Sequence, residues 1–192
     1  MPSALNVLAG GWQVNGFMRW ASGAPFGLSS NRVTTGSLTT STPVLRNMTA
    51  RDFQKFVGVF RGPYGVYYID PNSGLVKVNG ATSTAVMCTA GQSTPCFDFP
   101  APGQFGNLGN NFFSGPRFFG QDVSLAKHIR FQERFDIEMR IEMFNVFNTT
   151  NFTGISNNIT SSTFGQLTSQ LDTTRSGGVL ARTGQWSVRV SF

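Results

Sequence analysis

The stretch FDIEMRIEMFN, Phe135 to Asn145, decides the fold. Phe135, Ile137, Met139, Ile141 and Met143 are apolar, and Asp136, Glu138, Arg140 and Glu142 stand between them. On a helix, steps of two residues turn by about 200°, so those apolar groups would scatter around the axis. On a strand they share one face and the charges share the other. The stretch is read as a β-strand between an apolar environment and a polar one.

The same period of two recurs in three other places. In Gly11 to Ala21, Trp12, Val14, Met18 and Trp20 fall on one face with Gly16 among them, and Gln13, Asn15 and Arg19 fall on the other, which is polar except for Phe17. In Gln121 to Arg130, Val123, Leu125 and Ile129 oppose Asp122, Ser124 and His128, with Lys127 interrupting the apolar row. In Gln185 to Phe192, Trp186, Val188, Val190 and Phe192 alternate with Ser187, Arg189 and Ser191. The connections are unequal. Phe131 to Arg134 is a tight link, whereas Ser22 to Gly120 and Thr149 to Gly184 are long and rich in Gly, Ser, Thr and Asn. The longer one is expected to carry short strands at Phe56 to Phe60 and Gly65 to Ile69, followed by the turn signal DPNSG at Asp70 to Gly74. No repeat and no separate domain is visible, so residues 1–192 are read as a single partial domain.

Composition narrows the setting. Of 192 residues only 12% are charged, against roughly 25% in a soluble globular domain, while Phe occurs 19 times and Gly 22 times. No apolar run approaches the ~20 residues of a transmembrane helix. Alternating strands whose one face meets an apolar medium produce this balance, and the combination of short turns at one end with long loops at the other is that of a membrane β-barrel. Trp12 and Trp20 lie on one face eight residues apart, about 26 Å along a strand and about 20 Å vertically after a ~40° tilt, against the ~25 Å that separates a barrel's aromatic girdles. The net charge of +6 comes from basic residues scattered singly, with no Lys/Arg run and no nucleic-acid motif, so no nucleic-acid partner is expected. The opening MPSALNVLAGGW lacks the features of a signal peptide.

Catalytic and metal chemistry finds little support, and neither an enzyme nor a cofactor is expected. The one histidine, His128, shares a strand face with Ser124 and Asp122, about 13 Å and 20 Å away along the chain, too far for a triad within that strand. Asp136, Glu138 and Glu142 form a carboxylate row interrupted by Arg140, read as a charge ladder facing a polar lumen. Cys88 and Cys96 lie in CTAGQSTPC without the partners of a zinc site. A disulfide across the small loop and two free thiols are the open readings, the bond being the one expected of a chain outside the cytoplasm.

FFSGPRFFGQDVSLAKHI (Phe112 to Ile129), ERFDIEMRIEMFNVFNTTNF (Glu133 to Phe152), FGQLTS (Phe164 to Ser169) and WSVRVSF (Trp186 to Phe192) resemble the C-terminal end of large TonB-dependent outer-membrane receptors, in particular the Oar-like subgroup with an N-terminal carboxypeptidase-regulatory-like domain. GGWQVNGFMRWASGAPFGLSS (Gly11 to Ser30) is similar to the strand and loop entry preceding that end, and MFNVFNTTNF is the most specific element. Lys127 and the LARTG run before the last strand depart from the family's pattern.

The resemblance implies an all-β fold: the last strands of a 22-stranded antiparallel transmembrane barrel with long extracellular loops, in the outer membrane of a Gram-negative bacterium. Such receptors take up a scarce nutrient with energy passed from TonB. The chain would contribute wall and loops, with outer-membrane lipid, the plug and remaining strands of the parent receptor, and the outer-membrane insertion machinery as partners, and with TonB reached only through regions absent here. Twenty-two strands of about ten residues need roughly 220 residues before any loop, so the chain is expected to be part of a larger protein. Trp186, Val188, Val190 and Phe192 match the family's terminal assembly signal. A secreted or surface β-sandwich that binds ligand through exposed aromatics is the alternative, since one-sided sheets of soluble proteins also alternate.

Overall fold

A computed structural model describes residues 8–36, 40–131, 135–171 and 181–192. In chain order the strands are β1 (Trp12–Ala21), β2 (Pro25–Phe26), β3 (Val44–Arg46), β4 (Val57–Gly62), β5 (Gly65–Ile69), β6 (Val76–Asn79), β7 (Thr82–Ala85), β8 (Cys96–Asp98), β9 (Phe113–Ser114), β10 (Phe118–Phe131), β11 (Phe135–Phe144), β12 (Phe152–Ile155), β13 (Leu167–Gln170) and β14 (Thr183–Ser191). A short helix, α1 (Ala50–Gln54), precedes β4. The chain divides into two compact units: Met1–Ala21, Phe118–Asn151 and Leu171–Phe192 make one, and Ser22–Arg117 with Phe152–Gln170 make the other.

The first unit is an antiparallel sheet in the order β1-β10-β11-β14. All four alternating segments are strands in it. β10 is longer than the sequence pattern indicates, starting at Phe118 rather than Gln121, because Ala21, Trp20 and Arg19 pair with Phe118, Phe119 and Gly120. β14 likewise starts early, at Thr183 opposite Phe144. Since Ala21 pairs with Phe118 and Phe144 with Thr183, both long connections leave the sheet at the same end. The chain passes from β10 to β11 at the other end; the expected tight link falls on residues 132–134, outside the described residues.

The second unit is built from the two long connections, which the sequence reading takes as polar loops. Five two-stranded ribbons, β2-β9, β3-β8, β4-β5, β6-β7 and β12-β13, are gathered around one core. β4 and β5 lie where the sequence places them, and the Asp70 to Gly74 turn closes with the Asn72 and Ser73 N–H groups bonded to Asp70. The core holds Leu45, Phe53, Ile69, Leu75, Phe97, Leu108, Phe113 and Phe164 among others. Phe53 packs edge-on to both Phe97 and Phe113, and Phe97 edge-on to Phe164, with ring centroids 4.9–5.8 Å apart, the geometry the aromatic quadrupole favours. Phe164 arrives from the second connection, so this cluster joins the two chain segments.

Local caps complete the unit. Thr49 caps α1 by accepting from the Asp52 N–H at 3.1 Å. A hydrogen bond from the Lys55 ammonium holds the Asp52 carboxyl below the usual carboxylate range. Cys88 and Cys96 are joined in a disulfide, their Cα atoms 5.0 Å apart.

Candidate functional site

The register sorts the sheet into two faces. Val14, Leu125, Ile141 and Trp186 are direct cross-strand neighbours, as are Ile129, Ile137 and Val190, and Met139 with Val188. Direct neighbours point to the same side, so the apolar rows of all four strands merge into one surface. That surface is open: Val14, Met18, Trp20, Ile141, Trp186, Val188 and Val190 are all exposed, as is Phe192 just past the end of β14. Trp12 and Trp20 mark the two ends of its first row. A soluble sandwich would bury such a face under a second sheet. A contiguous exposed apolar surface of this kind marks contact with lipid or with a protein.

The opposite face is a lattice of charge and amide groups. Arg140 donates from Nε and Nη2 to Glu138 Oε1 at 3.0 and 2.6 Å and lies 3.7 Å from Glu142. Gln185 on β14 donates to Glu142. Glu138 stands between His128 on β10 and Arg189 on β14. Glu138 and Glu142 are thus met along and across strands, which suits a polar interior, while Asp136 Oδ1 is left without a hydrogen-bond partner. Ser124 is paired with Glu142, and Asp122 Oδ1 accepts the Asn145 N–H at 3.0 Å, so the structure does not bring His128, Ser124 and Asp122 together. Among the described residues no cluster of His, Cys, Asp or Glu could hold a metal ion.

Lys127 keeps its place in the apolar row, opposite Trp12 and Met139, but does not offer its charge to the surface. It is only 6% exposed. Its ammonium donates to the Leu8 carbonyl at 3.1 Å and to the Gly10 carbonyl, and sits 4.8 Å from the centre of the Trp12 ring. Trp12 Nε1 donates to the same Leu8 carbonyl at 3.0 Å. Lysine and tryptophan thus clasp the turn that leads into β1. Gly11 lets the clasp form: its φ is +73° and a Cβ there would overlap the His128 carbonyl oxygen. Lys127→Met should keep the stem and lose the charged hydrogen bonds, at a cost of about 1.5–3 kcal/mol, read as a lower denaturation midpoint in detergent. An unchanged midpoint would show that the ammonium contributes nothing to holding the turn.

The MFNVFNTTNF stretch explains itself at the other end of the sheet. Asn145 and Asn148 adopt φ of 49° and 52°, a region asparagine tolerates better than most residues. Asn145, fully buried, closes a loop by donating to the Thr149 carbonyl and accepting from the Thr149 N–H. Asn151 donates to the Phe119 carbonyl and accepts the Phe119 N–H, so its amide imitates a strand partner for β10. These roles are invisible to periodicity; the signal in the sequence is the recurrence of Asn directly after an alternating strand.

Of the other residues singled out in the sequence, Trp186, Val188 and Val190 lie on the open apolar row of β14 and Phe192 follows it, whereas Cys88 and Cys96 lie in the second unit. A family model described as an outer membrane beta barrel domain matches residues 2–185. No curated protein and no solved structure matches the chain.

Proposed function

The chain belongs to the outer membrane beta barrel domain family, and from that premise we propose that it forms wall and extracellular loops of a TonB-dependent receptor of the Oar-like subgroup, serving energised nutrient uptake. It is a barrel protein of the Gram-negative outer membrane. The observation that supports a place in a barrel wall is the sheet's polarity: one open apolar face broken only at Lys127 and Gln121, one salt-bridged polar face, and both long connections leaving at the same end; the TonB-dependent reading rests on the resembling stretches. Lipid takes the first face, a water-filled lumen the second, and the extracellular side the connections. β1 and β14 are the edges of the sheet, and further strands of the receptor pair with them to close the wall, since an open edge in lipid leaves backbone groups unsatisfied. The resembling stretches at Phe112 to Ile129 and Glu133 to Phe152 supply β10, β11 and the asparagine clamp. Trp186, Val188, Val190 and Phe192 serve the insertion machinery as an assembly signal, and neither catalysis nor a cofactor enters the role.

Single-cysteine labelling of whole cells tests the orientation, with the native disulfide left intact. An impermeant maleimide should react with Asn72→Cys, in the exposed Asp70 to Gly74 turn, and not with Gln132→Cys, between β10 and β11. The reverse pattern would overturn it. Purification of the native protein from its outer membrane in detergent should bring TonB with it, and reproducible absence of TonB would remove the energised-uptake part while leaving the barrel.

A further inference from the structure

One stretch of the sheet's polar face carries aromatic rings. Phe17 on β1 and Phe144 on β11 are both register partners of Asp122 on β10, so two phenyl groups flank one carboxylate on that face. Phe17 is 64% exposed and Phe144 half-buried. Along β10 the same face runs Gly120, Asp122, Ser124, so the strand between the two aromatic walls carries only short side chains. Neighbouring strands lie about 4.8 Å apart, which separates Phe17 from Phe144 by about 10 Å. Asp122 Oδ1 accepts the Asn145 N–H at 3.0 Å, which ties the carboxylate down. Among the described residues no cationic side chain forms a salt bridge with it. Arg19, two residues beyond Phe17, lays its guanidinium over the Phe118 ring instead, 5.5 Å from the centroid.

We propose that the gap between Phe17 and Phe144 binds a small organic cation, a methylated ammonium group carried by a free solute. A cation midway between the walls lies about 5 Å from each, within the ~6 Å reach of a ring's quadrupole, and Asp122 supplies the counter-charge. Other guests fit less well. A neutral apolar guest would bury the Asp122 carboxylate without a partner, which is costly, and an anion would be repelled by it. A metal ion would find a single carboxylate, since no cluster of ligating side chains exists among the described residues. The gap lies on the face turned away from lipid, so the cation is that of a solute and not of a lipid head group. Its service as a contact for a transported solute rests on the receptor reading; the binding itself does not.

Titration of choline chloride into the full chain, ¹⁵N-labelled and held in uncharged maltoside micelles at constant ionic strength, tests the proposal. Saturable shifts are expected at the backbone amides of Phe17, Asp122 and Phe144, with half-saturation in the millimolar range. Phe17→Leu keeps an apolar side chain at an exposed position and removes the ring. Asp122→Asn keeps an oxygen to accept from the Asn145 N–H and removes the charge. Each should weaken choline about fivefold while the remaining spectrum stays unchanged. Phe17→Leu decides the matter if Asp122→Asn disturbs the turn at Asn145. Absence of saturable shifts in the wild-type chain, or undiminished affinity in Phe17→Leu, overturns the proposal. Benzoate displacing choline at the same amides overturns it too, by showing a site that reads a ring and not a positive charge. None of these outcomes bears on TonB co-purification, so failure here and failure of the receptor reading are told apart.

Discussion

Ile141→Arg is expected to cost about 2–4 kcal/mol in a bilayer, the price of a cation on the lipid face near mid-membrane. Ile141 lies mid-strand in β11, between Leu125 and Trp186, and is 53% exposed on the apolar surface. No acidic residue shares that row to take up the charge. The neighbouring register position supplies the control. Gln185→Arg places the same side chain opposite Glu142 on the polar face, where an exposed ion pair contributes ~0–1 kcal/mol. Denaturant unfolding in phospholipid vesicles should separate the two substitutions clearly. Equal costs, or an Ile141→Arg protein as stable as the parent, would mean that the apolar face does not meet lipid.

Phe97→Ala should be the most damaging single change in the second unit, at about 3–5 kcal/mol. Phe97 is wholly buried, pairs within β8 next to the disulfide, and touches Phe53 and Phe164 edge-on. Its loss opens a cavity where the two long connections meet, and the five ribbons are too short to hold without that core, since isolated two-stranded ribbons are marginal in water. Thermolysin should then cut within Ser22–Arg117 at a temperature where the parent resists. Phe105→Ala, at a residue 68% exposed, should change the cleavage rate little, because surface substitutions usually stay within about 0.5 kcal/mol. Equal protease resistance of Phe97→Ala and the parent would show that the cluster does not hold the unit together.

The two predictions differ in how much of their basis could be read without coordinates. The place of Ile141 on an apolar face follows from residues 135–145 alone, because side chains in a strand alternate by covalent geometry; that the face meets lipid follows from the open sheet and the family match. The importance of Phe97 is not legible in its own stretch. Cys96 to Asp98 is too short to show a period, and Phe164, its partner, lies far along the chain, so nothing local to Phe97 distinguishes it from an exposed loop aromatic such as Phe105.

The sequence by itself determined the four long strands, the composition of their faces and the placement of long connections against a short link, since each is a property of one segment and its spacing. Only the tertiary structure decided the rest. Strand register drew Phe118 to Gly120 and Thr183 into the sheet through pairing with distant residues. The carbonyls of Leu8 and Gly10 turned Lys127 from an interruption of the apolar row into a clasp. Aromatic packing between segments made a compact unit out of connections that look polar by composition. In each case the deciding partner is remote in sequence, and contacts of that kind leave no local pattern because their free energy exists only once the chain has brought the partners together.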